Sequence, residues 1–364
     1  MEYTNLFSKY KIGNLNLNNR IVMAPMTRSR ADNSELAANE LIAKYYEQRA
    51  SAGLIITEGI FVSEKARGYI RVPGIYTQPQ IEGWRKTTKA VHEKGGKIFA
   101  QLWHVGRISH PDFHEGKLPQ APSAINPNFK SFTKNGFKDT VTPQEMSIED
   151  IQNTISDFRI AARNAVSAGF DGIEIHAANG YLFHQFFAAC SNKRMDDYGG
   201  TVENRSRFLF EVLDAIAEEI ELERVGVRLN PAMDQSFGIT VDETTIPTFK
   251  YIVERLNNYP IAYVHLSGFS KSEAHSMSEI LDTAKFYRSL YKGTLMINKG
   301  FDAKSAEFAL KEGIADLISF GTPFIGNPDL MERYKNDWPL NESDRKTFYS
   351  LGAKGYTDYP FYQE

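Results

Sequence analysis

The sequence predicts an α/β fold of the (β/α)8 TIM-barrel type. Eight short apolar runs alternate with eight longer segments of helical period. The runs are rich in β-branched residues and bounded by Gly and Pro, as strands of a parallel sheet buried on both faces are. No Gly-x-Gly-x-x-Gly turn follows any of them, which weakens the open doubly wound sheet, the other architecture that alternation permits.

A hairpin is expected over 10–17, ahead of the first run. The strand candidates follow at 21–26, 54–62, 97–103, 172–176, 225–229, 262–267, 294–297 and 316–320. Helices are expected at 39–52, 80–94, 147–168, 204–221, 242–257, 278–291, 303–312 and 327–335. The third helix has a strong start signal, because Ser147 is followed three residues on by Asp150, close to a capping box. The longest break in the alternation runs from His104 to Met146 and is rich in Pro, Asn, Ser and Lys. It forms a long loop after the third strand, over the catalytic face of a barrel, where long connections serve function. The chain, 1–364, reads as a single domain.

Composition narrows the class of function. A hydrophobic content of 42% and a charged content of 24% suit a globular protein with a large core. The net charge of −3 supplies no basic excess of the kind that binds nucleic acid non-specifically. The one cysteine, Cys190, rules out an intramolecular disulfide and cannot alone build a zinc or iron–sulfur site, so no metal is expected. No window approaches the apolar length of a membrane span, and the first residues lack a basic and apolar leader. These features predict a reduced, cytoplasmic protein without a membrane partner, either monomer or homodimer.

The residues that end barrel strands converge on one mouth. Here they include Pro25, Met26 and Thr27; Glu58 and Gly59; Gln101, Trp103 and His104; His176 with Asn179 and Tyr181; Arg228; His265; Lys299 and Gly300; Gly321 and Thr322. Gln101 and Arg228 sit inside apolar strands, and burying either without a partner costs several kcal/mol. Arg228 therefore faces either a ligand or a barrel acid such as Glu174. A planar ring edge with alternating donors and acceptors, as in a flavin, would satisfy Gln, Thr and Arg together. His176 and Asn179 can donate two hydrogen bonds to one carbonyl or nitro oxygen, and Tyr181 can deliver a proton. The plainer reading of that hexapeptide is a cap, a turn and a core tyrosine. Gly300 and Gly321 bring turns to where barrels commonly hold phosphate.

Seven segments, in this order, resemble the Old Yellow Enzyme family of FMN-dependent ene-reductases: 19–28, 101–107, 172–182, 197–205, 225–229, 327–330 and 355–360. The likeness runs from about Leu6 to Tyr359. It implies that Thr27 bonds the flavin carbonyl beside N5, while Gln101 and Arg228 hold the pyrimidine edge and Arg228 stabilises the reduced flavin's charge. It implies that His176 and Asn179 bind the oxygen of an electron-poor alkene and that Tyr181 protonates the α carbon as hydride reaches the β carbon. Pro25, Met26, Gly59, Gly300 and Gly321 are expected around FMN. Tyr69, Trp103 and Tyr356 either line the substrate pocket or are core aromatics.

Two positions depart from the family pattern. Thr322 stands where an Arg usually grips the FMN phosphate, and Lys299 stands where a small residue is usual, so Lys299 is expected to replace the missing charge. Thr27 stands where one branch has a redox-sensing cysteine, so that regulation is not expected, and Cys190 is expected to be structural. The expected activity is hydride transfer from NADPH or NADH through FMN to a small-molecule electron-poor alkene, with nitro compounds as a further substrate class. The rival readings are a flavin-free isomerase or lyase on a phosphate-binding barrel, and a flavin-binding protein without turnover.

Overall fold

The computed structural model of the chain describes residues 3–267 and 276–363. Eight parallel strands close into a barrel: β1 (Ile21–Met23), β2 (Leu54–Phe61), β3 (Ile98–Trp103), β4 (Gly172–Ala177), β5 (Val225–Leu229), β6 (Tyr263–Leu266), β7 (Leu295–Asn298) and β8 (Leu317–Phe320). Closure comes where β8 pairs with β1, Ile318 opposite Ile21. The outer ring is made by α1 (Glu40–Glu47), α2 (Gln78–Glu93), α3 (Ile148–Ser167), α4 (Val202–Ala217), α5 (Thr245–Leu256), α6 (Met277–Leu290), α7 (Ala303–Lys311) and α8 (Leu330–Asn336). The capping box ahead of α3 forms: Ser147 Oγ accepts from the Asp150 amide and Asp150 Oδ2 accepts from the Ser147 amide, each at 3.1 Å.

Because successive strand residues point to opposite faces, every second residue enters the barrel. On β3 these are Phe99, Gln101 and Trp103; on β4, Glu174 and His176; on β6, Tyr263 and His265. The lowest layer is apolar. Phe99 stacks on Tyr263 with centroids 5.9 Å apart, among Val22, Leu54, Met296 and Leu317. The expected hairpin forms from Tyr10–Ile12 and Leu15–Leu17 and presses Ile12 and Leu17 onto this layer, closing the barrel floor. The polar layers lie above it.

Three features differ from the expected elements. The first strand stops at Met23, three residues early, because the chain leaves the sheet to place Pro25–Thr27 at the mouth. The 104–146 connection is not irregular throughout: Lys130–Thr133 and Gly136–Asp139 form an antiparallel hairpin with Phe132 opposite Phe137. Its alternation was hidden because both aromatics stay partly exposed, at 38% and 71%. Two short helices, Leu182–Phe187 and Thr322–Gly326, follow β4 and β8. Each has six residues or fewer, too short for a helical period to register.

Leu17 is 1% exposed, and truncating a buried Leu costs about 2–4 kcal/mol through lost transfer energy and the cavity left behind. Leu17→Ala is expected to lower the urea midpoint by that equivalent. An unchanged midpoint would show that the hairpin is not part of the core.

Candidate active site

The mouth holds a cavity of about 840 Å³. It takes in Pro25, Met26, Thr27, Tyr69, Gln101, Trp103, His176, Asn179, Tyr181, Arg228, Gly321 and Thr322, twelve of the residues expected from the sequence. They come from the ends of β1, β3, β4, β5 and β8 and, for Tyr69, from the segment after β2.

The carboxylate of Glu174 organises the layer beneath. Its Oε1 accepts from Gln101 Nε2 at 2.8 Å and its Oε2 meets His265 Nδ1 at 2.8 Å. The other imidazole nitrogen of His265 meets Ser319 Oγ at 2.8 Å. Burial alone would raise the Glu174 carboxyl, but His265, Arg228 and Gln101 outweigh it and hold it below the usual range. Glu174 was the candidate ion partner of Arg228, yet its hydrogen bonds go to Gln101 and His265. Arg228 instead donates to Asn298 Oδ1 at 3.2 Å, and its buried Nε has no partner among the described residues. A guanidinium in that state calls for an acceptor in the cavity. Gln101, its amide nitrogen taken by Glu174, is left to offer the cavity its carbonyl.

His176 projects from the end of β4, buried and with Nδ1 unpartnered among the described residues. Burial, reinforced by the Arg228 charge, pushes its imidazole well below its ordinary value and keeps it neutral. The turn after β4 puts Asn179 at φ 57° and Gly180 at φ 78°, a left-handed pair that Asn and Gly tolerate. Asn179 Oδ1 accepts from Asn230 Nδ2 at 2.8 Å and from Ser267 Oγ at 3.2 Å. Those two bonds orient the carboxamide, so its NH₂ is the end left for a ligand. Tyr181 packs against Trp103 with centroids 4.8 Å apart, and its hydroxyl lies 2.9 Å from that of Tyr69. Burial, then Tyr69, raises the Tyr181 phenol well above its ordinary value, so it stays protonated at neutral pH.

Four expected site residues lie outside the lining. A Cβ on Gly59 would sit 2.3 Å from Trp103 Cε3, so this glycine makes room for the indole. Tyr356 is fully buried and stacked on Tyr45, centroids 4.0 Å apart, with Arg28 and Arg30 over its ring. It is a core aromatic. Lys299 and Gly300 are exposed at the end of β7, Lys299 with φ 99°. In their place the cavity takes in Arg71, Phe237, Lys346, Phe348 and Tyr349, together with Phe129, Phe132 and Phe137 of the loop after β3. No local signal marks Phe348 and Tyr349. They reach the mouth because Arg28 Nε and Arg30 Nη1 hold the Phe348 carbonyl at 3.1 and 2.8 Å. Cys190 accepts from the Thr240 amide at 3.4 Å and is not among the lining residues.

The model of the NADH:flavin oxidoreductase / NADH oxidase family matches residues 5–341. The chain is 40% identical over 363 residues to 12-oxophytodienoate reductase 1 of Oryza sativa subsp. japonica, covering 99% of this chain and 93% of that protein. It is 41% identical over 356 residues to a probable flavin mononucleotide-dependent alkene reductase of Leishmania infantum, covering 96% and 95%. Among solved structures, morphinone reductase in complex with tetrahydroNAD superposes with a TM-score of 0.91 at 41% identity, covering 99% of this chain and 98% of that one.

Three histidines of the segments that follow β3 and β4 set a pH limit. Burial pushes His104 and His184 down to about 3 and His114 down to about 4. An unfolded chain protonates these imidazoles near 6.5, so below that pH it binds protons the folded chain refuses, and stability falls as pH falls. Glu58, raised by burial to about 7, acts in the opposite sense, its contribution being lost as pH rises through 7. The lowered imidazoles, His176 and His265 among them, outnumber the carboxyls that burial raises, Glu58, Asp157 and Glu332. The melting temperature is expected to drop steadily from pH 6.5 to 4, at about 1.4 kcal/mol per pH unit for each net proton. A flat profile would mean that the imidazoles are hydrated.

Proposed function

The chain belongs to the NADH:flavin oxidoreductase / NADH oxidase family, its Old Yellow Enzyme members, and on that premise we propose the part each residue of the cavity plays. The protein is an FMN-dependent ene-reductase that takes hydride from NAD(P)H and passes it to small-molecule alkenes. The observation that carries the residue assignment is that Thr27, Gln101 and Arg228 line the same cavity as His176, Asn179 and Tyr181.

The unpartnered Arg228 Nε and the free Gln101 carbonyl fit the pyrimidine edge of FMN, which supplies the hydride when bound. Arg228 carries a permanent charge suited to an anionic reduced ring, and Thr27 offers a hydroxyl from the β1 turn. Pro25, Met26 and Gly321 wall the cofactor. Thr322 and Lys346 face the cavity beside them, and Lys299 is proposed to add charge toward the phosphate from the adjoining β7 turn.

Neutral His176 and the NH₂ of Asn179 donate to the substrate's carbonyl oxygen and draw electron density from the conjugated double bond. A nitro group offers the same oxygen geometry, so nitro compounds are a proposed second substrate class. Tyr181 gives its phenolic proton to the α carbon. Tyr69 and Trp103 complete the walls. Reductant and alkene share one cavity, so they are expected to compete and to give ping-pong kinetics.

The purified protein is expected to show a flavin spectrum that bleaches with anaerobic NADPH and returns with cyclohexenone. Tyr181→Phe should slow only the return, by about 10²-fold or more. Equal damage to both half-reactions would remove the proton-donor role, and a protein that cannot be reconstituted with FMN would remove the flavin reading of these residues. Lys299→Ala is expected to raise the FMN Kd about 3- to 10-fold, the size of one exposed charge contact. An unchanged Kd would assign the phosphate to Gly321, Thr322 and Lys346 alone.

A further inference from the structure

We propose that Tyr69 is a proton relay to Tyr181, returning the proton that Tyr181 gives up and recovering its own from water at the cavity mouth. This rests on the reading of Tyr181 as the proton donor. Once Tyr181 has protonated the α carbon it is a tyrosinate, and the enzyme cannot turn over again until it is reprotonated.

Among the described residues, the surroundings of Tyr181 offer one side-chain route. Its side chain is 8% exposed, and its ring is enclosed by Trp103, His176 and Phe237, at centroid distances of 4.8, 5.1 and 5.7 Å. Trp103 and Phe237 have no proton to lend at these pH values. His176 is held neutral and directed to the substrate's oxygen. Among the described residues, the one hydrogen bond drawn to the Tyr181 hydroxyl is that of Tyr69, at 2.9 Å. The two rings stand nearly perpendicular, at 77°, so they meet through their hydroxyls rather than their faces. Tyr69 is braced on its other side by Trp103, stacked at 5.1 Å, and is only half-buried, in the wall that continues outward to Arg71.

The steps balance. The Tyr181 O–H bond breaks as a C–H bond forms at the α carbon, which holds the electron pair displaced by hydride addition at the β carbon. The tyrosinate takes the Tyr69 proton, and a mouth water reprotonates Tyr69 as hydroxide leaves to solvent. Burial raises both phenols above their ordinary values, so each enters the cycle protonated and has a proton to pass on.

The test follows steady-state turnover of FMN-loaded enzyme with NADPH and cyclohexenone, comparing wild type, Tyr69→Phe, Tyr181→Phe and the double variant in mixtures of H₂O and D₂O. Tyr69→Phe is expected to slow turnover about 10-fold or more and to change the proton inventory from curved, with two protons in flight, to linear. Because Tyr69 acts only through Tyr181, the double variant should be no slower than Tyr181→Phe alone. A double variant slowed by the product of the two single effects would make Tyr69 a packing residue and overturn the relay. So would a wild-type rate and a curved inventory in Tyr69→Phe while Tyr181→Phe is slow, an outcome that leaves the donor assignment standing. A wild-type rate in Tyr181→Phe would instead overturn the donor assignment itself, and the relay with it.

Discussion

A single carboxylate at the centre of the barrel, Glu174, sets the conditions for the chemistry above it. It is fully buried, and a buried charge is tolerated only when its lone pairs are filled and opposite charge lies near. Gln101 from β3 and His265 from β6 fill them, and Arg228 from β5 supplies the field. The consequences run upward. Gln101 is fixed with its amide nitrogen inward and its carbonyl toward the cavity, while the guanidinium of Arg228 stays charged in a place that would otherwise resist it. That positive charge in turn helps keep His176 neutral, the form able to donate to a substrate oxygen without becoming a cation there.

A second set of buried charges shapes the mouth. Arg28, Arg30 and Arg49 are almost wholly enclosed and find few acids; they are satisfied by main-chain carbonyls instead. Arg30 Nη2 holds the Thr347 carbonyl at 2.8 Å, Arg28 Nη2 holds that of Gly355 at 2.6 Å, and Arg49 Nε holds that of Phe324 at 2.8 Å. The planar, multiply donating guanidinium suits this work, since one side chain can tie several turns together. The turn after β1, the short helix after β8 and the C-terminal segment are thereby locked to one another. Glu58 is the acid in this nest, its Oε2 accepting from the Arg28 amide at 3.2 Å, one residue beyond Thr27. Tyr356, stacked under the arginines, belongs to this lock rather than to the pocket.

The residues that proved legible in the sequence share a property: each is a polar side chain at an alternate position of an apolar strand or in the turn that ends one. Gln101, Trp103, His176 and Arg228 follow from the two-residue period alone, and Asn179, Gly180 and Tyr181 from the turn after β4. Gly59 stands out in the sequence, but a glycine reports that something is close without saying what, and the indole of Trp103 beside it is visible only in the fold. Tyr356 and Tyr349 show the same limit. Two tyrosines seven residues apart in an irregular segment carry no periodicity to tell inside from outside.

The sequence by itself determined the alternation of strand and helix, hence the barrel, and the polar residues at the strand ends, because strand and helix periods and turn chemistry are local properties of the chain. It did not determine which loops close over those ends. The aromatic hairpin after β3, the Phe348–Tyr349 wall and the contact between the Tyr69 and Tyr181 hydroxyls join residues 100 or more positions apart, or depend on arginines that do. Such contacts exist only once the barrel has brought its loops to one face, where burial and hydrogen-bond satisfaction, rather than local pattern, select the packing.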